Sequence, residues 1–171
     1  MKIVVTDSNV FSLFFECDLL IKLMSSNTIE IYIPEKIYKE ITDTAHRIPR
    51  EYPGIPPLIQ QARYGHGNSL GTRIFVKDVR TFVTNPNAVN AYAALEKQKD
   101  INPGEREAIP LAIELQADFI SNDSPAVKEL NTTYSGLGSI GKNIDLFIDD
   151  LEVIQTLTKP ECTILRKALW G

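Results

Sequence analysis

The chain opens with an apolar run, Ile3-Val4-Val5, framed by Lys2 and Thr6 and stopped by Asp7-Ser8-Asn9. A short β-branched run bounded this way predicts a buried strand over 2–6. Asp7 and Ser8 are good helix caps, so a helix is expected from about Asn9 to Phe15. Asp18 to Met24 reads as a second short helix. Ile29 to Ile33 is a second strand, and Pro34 opens the next helix, with Ile37 and Ile41 on one face. Arg73 to Val76 forms a strand. Asn85-Pro86 starts a helix to about Lys99, with Ala88, Ala91, Tyr92 and Leu95 inward. Pro103-Gly104 starts another, to about Gln116, with Pro110 bending it. Phe119 to Ser121 is a short strand, followed by a helix through Leu130. Asn131 to Ser135 is at best a weak strand, and 143–151 and Cys162 to Leu169 read as helices. Strands alternating with helices predict a mainly parallel sheet.

One stretch breaks the pattern. From Thr44 to Leu58 there are four prolines and Gly54, and Gly65, Gly67 and Gly71 follow. These residues exclude a long regular helix or a central strand. Residues 44–71 are expected to be an irregular excursion, with a short helix at 57–63. Extended to residue 80, the insertion is basic: from Thr44 to Arg80 six bases stand against two acids. Net charge there is +4, which leaves −8 for the rest of a chain of net charge −4. That split suits a protein that gathers cations in one place and phosphates in another.

At 171 residues one domain is expected over 1–171, with enough chain for a sizeable core. No apolar run reaches the ~18 residues that cross a bilayer, and Asp7, Glu16 and Asp18 interrupt any signal-peptide pattern. A cytoplasmic protein without a membrane partner is expected. Cys17 and Cys162 read as reduced core thiols.

Acids carry the chemistry. Asp7 ends the first strand, Glu40 lies on the helix after the second, Glu107 near the start of the 103–116 helix, and Asp123 after the strand at 119–121. Open α/β sheets bind ligands outside the carboxyl ends of their strands. Four carboxylates gathered there repel one another unless a cation neutralises them. Oxygen-only ligands suit Mg2+ or Mn2+, whose chemistry is the activation of water against phosphodiesters. Each acid also has an ordinary role: Asp7 and Asp123 as caps, Glu40 as a solvated carboxylate, Glu105 and Glu107 as complements to a helix dipole. Glu105 competes with Glu107, because the two cannot point the same way from one helix. Asn9, Arg47, Arg50, Arg63 and Lys142 are candidates for contacting substrate, and Tyr52 and Tyr64 for stacking on unpaired bases.

The words Val5-Thr6-Asp7-Ser8-Asn9-Val10-Phe11, Ile37-Tyr38-Lys39-Glu40-Ile41, Gly104-Glu105-Arg106-Glu107-Ala108-Ile109 and Phe119-Ile120-Ser121-Asn122-Asp123 resemble those of PIN-domain nucleases, including VapC-like toxins. The resemblance covers about 1–43 and 100–130. It implies a three-layer α/β/α domain that cuts RNA with Mg2+ or Mn2+. Asp7, Glu107 and Asp123 then hold the metal, with Glu40 in support, and Ser8 or Asn9 orients the first carboxylate. Read as a toxin, the chain implies an antitoxin protein as partner, and self-association stays open. Asn122 stands where many relatives carry a further acid. A PIN-like module that binds RNA or a protein without cutting is the alternative.

Two other motifs compete. Gly136-Leu137-Gly138-Ser139-Ile140-Gly141-Lys142-Asn143 has dinucleotide-loop spacing and nearly that of a phosphate loop, but Asn143 replaces the hydroxyl that would reach Mg2+. A glycine turn is the simpler reading. A strand ending on Asp also starts the haloacid-dehalogenase phosphatases, but their second Asp is Asn9 here. His46 and His66 lack metal-ligand spacing and read as loop residues.

Overall fold

Apolar runs short enough for strands, punctuated by cap residues, assemble into one sheet. The computed structural model describes residues 1–65 and 67–171; His66 lies outside them. The strands are β1 (Lys2–Thr6), β2 (Ile29–Pro34), β3 (Phe75–Lys77), β4 (Asp118–Ile120) and β5 (Gly141–Lys142). Their order is β3-β2-β1-β4-β5, and every pairing is parallel. β1 is central: Val4 faces Ile31 on one side and Asp118 on the other.

The helices are α1 (Ser8–Glu16), α2 (Leu20–Ser25), α3 (Glu35–Thr42), α4 (Arg47–Glu51), α5 (Ile55–Tyr64) and α6 (Val79–Phe82). They continue with α7 (Pro86–Leu95), α8 (Pro103–Leu115), α9 (Ser124–Thr133), α10 (Ile144–Val153) and α11 (Lys159–Trp170). The connection from β1 to β2 moves one way along the sheet, and the return from β3 to β4 moves the other. Right-handed crossovers therefore put α1 and α2 on one face and α8 on the opposite face. The result is a three-layer α/β/α fold. Between β1 and β4 the direction of winding reverses, which is where open sheets form their ligand crevice.

Both faces of the central strands are covered, so Val4, Val5, Ile33, Phe119 and Ile120 are fully buried. Phe11 and Phe14 of α1 and Phe147 of α10 fill one side, with the Phe14 and Phe147 ring centroids 6.3 Å apart. Ala108, Leu111 and Ala112 of α8 fill the other. Helix starts follow the cap chemistry: Asn85 accepts from the Asn87 amide, Asn143 from the Leu146 amide, and Thr158 with Glu161 forms a capping box. Among the described residues no helix is long and apolar enough to cross a membrane.

Residues 44–71 are more ordered than the sequence suggested. α4 and α5 occupy most of the segment, and Ile48, Ile55, Ile59 and Ala62 are buried against the rest of the core. The prolines mislead because of where they sit. Pro56 and Pro57 are in the first turn of α5 and Pro49 in the first turn of α4, where a missing N–H breaks no helical bond. Asn131 to Thr133, read as a weak strand, complete α9 instead. Pro34 closes β2 and caps α3 rather than occupying its first turn.

Because Ile59 is fully buried, Ile59→Ala is expected to destabilise the chain by about 2–4 kcal/mol in chemical denaturation. A change within ~0.5 kcal/mol would show the segment to be a detachable appendage.

Candidate functional site

β1 ends at the crevice, and its last amide contacts tie it to β4. The Asp7 amide donates to the Ile120 carbonyl at 3.0 Å, so the two strand ends are held side by side. The Asp7 side chain is 1% exposed. Its Oδ1 accepts from the Asn9 amide at 3.1 Å, as the cap of α1, and its Oδ2 accepts from the Ser121 hydroxyl at 2.7 Å. Ser121 Oγ in turn accepts from the Asp123 amide at 2.9 Å. A chain of hydrogen bonds therefore joins the two strand-end acids. Burial raises the Asp7 carboxyl from 3.8 to about 6, against the opposing pull of Ser121 and the amides of Asn9, Val10 and Asn122.

Asp123 caps α9, accepting from the Ala126 amide at 3.4 Å, and its Oδ2 accepts from the Asn102 side-chain amide at 3.0 Å. Asn102 is also the residue that precedes α8. The crevice wall facing these acids is therefore the first turn of α8.

That turn supplies Glu105. It is 5% exposed, and its Oε2 is buried without a hydrogen-bond partner. Its carboxyl is pushed from 4.5 to about 8, first by burial and then by the charges of Asp7, Glu40 and Asp123. Glu40 reaches the same place from α3. Burial raises its carboxyl too, while Ser8 and His46 lower it. A Cβ on Gly104 would lie 2.7 Å from Glu40 Oε1 and 2.9 Å from Ile37 Cγ1, so only glycine lets α8 come this close to α3.

Glu107, assigned to the metal from sequence, is not in this group. Two residues along a helix turn the side chain to nearly the opposite side. It pairs with Lys36 at 3.8 Å and faces Asp78, Arg80 and Tyr92. Asp7, Glu40 and Asp123 are each near enough to Glu105 for their charges to act on its carboxyl. Ser121, Asn102 and Gly104 were not singled out; the only sequence signal for Ser121 was a small hydroxyl residue two before Asp123.

In this side-chain arrangement no three His, Cys, Asp or Glu residues among those described close around one ion. Mg2+ or Mn2+ could still be held here by fewer than three of these carboxylates. Such ions keep several waters and take only one or two carboxylates directly. The unpartnered Glu105 oxygen and the mutual repulsion with Asp7, Glu40 and Asp123 are what a divalent cation relieves.

The proposed substrate contacts divide. Asn9 and Arg47 line a hollow of about 160 Å3 with Ser8, Glu40, His46 and Ile48, next to the acids. Arg47 pairs with Glu51 at 2.8 Å, an exposed bond that substrate phosphate can replace. Arg50 is exposed on α4, donating through Nε to the His46 carbonyl at 3.2 Å. Arg63 is committed elsewhere: it grips Glu35 at 2.6 and 3.3 Å and lies 4.4 Å over the Tyr38 ring and 4.7 Å over the Tyr64 ring, fastening α5 to α3. Lys142 is committed to other partners: it binds Asp150 at 2.8 Å and Asp118 at 3.0 Å. Tyr52 donates to Glu16, while Tyr64 is exposed.

The glycine-rich run 136–141 links α9 to the edge strand β5. Gly136 and Gly138 adopt φ of +79° and +86°. A phosphate loop runs from a strand into a helix; this one runs from a helix into a strand, so the turn reading holds.

Both raised carboxyls ionise more readily in the unfolded chain. Their stabilising contribution is complete below pH ~4 and is lost as pH rises towards about 8. Without divalent cations, the unaltered chain is expected to lose on the order of 3 kcal/mol between pH 5 and 8 relative to Glu105→Gln, read by urea titration. Parallel pH profiles for the two chains would contradict the burial of an uncompensated carboxyl at residue 105.

No protein-family model matches this chain, and no curated protein is similar to it at a significant level.

Proposed function

We propose that this chain is a Mg2+- or Mn2+-dependent endoribonuclease. Asp7, Glu105 and Asp123 would hold the ion, with Glu40 in support. The observation that carries the reading is the buried, unpartnered Glu105 oxygen facing three other carboxylates at the crevice of a parallel sheet. Bound there, the ion would supply Lewis-acid polarisation of a phosphodiester and a water of lowered pKa.

The chain's own groups do the rest. Ser121 and the Asn9 amide fix the orientation of Asp7. Asn102 holds Asp123 against the first turn of α8. One of these carboxylates would take the proton of the attacking water. Asn9 and Arg47, beside Glu40, are positioned for the ribose-phosphate chain. RNA as substrate rests on the resemblance of the acid-bearing words to PIN-domain nucleases. The same resemblance extends the proposal to a cytoplasmic toxin held by an antitoxin protein.

One observation favours a non-cleaving module that binds RNA or a protein. Asn122 adds no charge, and its Oδ1 accepts from the Ile144 amide at 3.0 Å, away from the acids. A cleavage assay on unstructured RNA with Mn2+ separates the two. The unaltered chain is expected to cut only with divalent cation, and Asp7→Asn and Glu105→Gln each to slow cutting by about 100-fold or more. Lys142→Ala is expected to stay within about twofold. Cutting in the presence of excess chelator, or undiminished in Glu105→Gln, contradicts the proposal; binding without cutting favours the module.

A further inference from the structure

Glu107 lines a hollow of about 500 Å3 bounded by α3, α6, α7 and α8, with Glu35, Lys36, Lys39, Asp78, Arg80 and Tyr92 around it. This volume lies in the range of small-ligand sites. The hollow adjoins the acid cluster along the same two helices. Gly104 of α8 meets Glu40 of α3, and one turn further on, about 5.4 Å away, Glu107 meets Lys36.

The groups in the hollow are of three kinds. Lys39 and Arg80 are exposed cations; Arg80 pairs with Asp78 at 3.2 Å across an exposed contact, and Lys39 takes part in none of the neighbouring ion pairs. Such loosely held charges are free to meet a phosphate. Tyr92 is half-buried and offers an aromatic surface. Glu107 pairs with Lys36 at 3.8 Å, and carboxylate oxygens accept hydrogen bonds from exocyclic amino groups of bases.

We propose that this hollow receives one unpaired nucleotide of a single-stranded RNA, next to the phosphate at the acid cluster. Tyr92 lies against the base, Glu107 accepts from its amino group, and Lys39 and Arg80 hold its phosphate. Unpaired RNA is favoured because a base must leave its stack to enter the hollow, which paired RNA resists. The proposal deepens the nuclease reading and rests on it for the position of the scissile phosphate.

The test uses the full chain carrying Glu105→Gln, so that binding is read without cleavage. Fluorescence anisotropy with a short unstructured RNA and with a duplex of equal length gives affinity and its salt dependence. Tighter binding of the unstructured RNA is expected. Lys39→Ala with Arg80→Ala is expected to weaken that binding about 10-fold and to flatten the slope of log K against log salt by about 1.4, for two phosphate contacts. Tyr92→Leu, checked for folding by its melting curve, is expected to weaken it about 5-fold or more. Glu107→Gln is expected to reduce the preference for bases with an amino group over uracil. Unchanged affinity and slope in the Lys39/Arg80 double variant, equal affinity for duplex, or no RNA binding at all would overturn the assignment. The nuclease reading is scored separately. A chain that binds as expected but never cuts removes that reading alone, and one that cuts while the double variant binds unchanged removes only the hollow's role.

Discussion

Repulsion between carboxylates that the fold forces together is the constraint on which the rest depends. Asp7 cannot retreat, because it directly follows a strand buried on both faces and its amide is bonded to β4. Glu105 cannot retreat either, because Gly104 beside it is pressed against Glu40 and Ile37. Desolvation penalises each negative charge, and the neighbours penalise Glu105 again. The chain answers the first problem well and the second poorly. Asp7 has a hydroxyl and backbone amides to itself, whereas one oxygen of Glu105 has nothing. Buried polar atoms without partners are uncommon in folded proteins and mark places where something besides stability is served.

The sheet order explains why these acids meet. Winding reverses between β1 and β4, so the residues after both strands flank one crevice instead of being covered by the same crossover. Ser121 makes the two sides a unit, since it donates to Asp7 and accepts from the Asp123 amide. α3 and α8 then close the crevice from above, and their contact at Gly104 also sets where the neighbouring hollow begins. Fold, acid cluster and hollow are in this sense consequences of one packing arrangement.

Much of this was legible in the amino-acid order. Asp7 could be placed because an apolar run ends on it, and Asp123 because it closely follows the short run Phe119-Ile120; a strand end is a local property. The choice between Glu105 and Glu107 was not local. It depends on the rotation of α8 about its axis, and α8 buries residues around much of its circumference, from Gly104 to Ile113, so no single apolar stripe gives the phase. Lys142 failed for a related reason: its neighbours in space, Asp118 and Asp150, come from other elements. Arg63 looked like a free cation because Glu35 lies 28 residues away in sequence. α4 was missed, and α5 was read only over 57–63, because proline was taken as a breaker, when in a first turn it costs the helix nothing.

The direct measurement of the central claim is the anomalous scattering of Mn2+ soaked into crystals of the unaltered chain and of Glu105→Gln. A single strong peak is expected in the crevice bounded by Asp7, Glu105 and Asp123, lost or greatly weakened in the variant. No peak there at saturating Mn2+, or an equal peak in both chains, would contradict the claim that these acids are held together for a divalent ion.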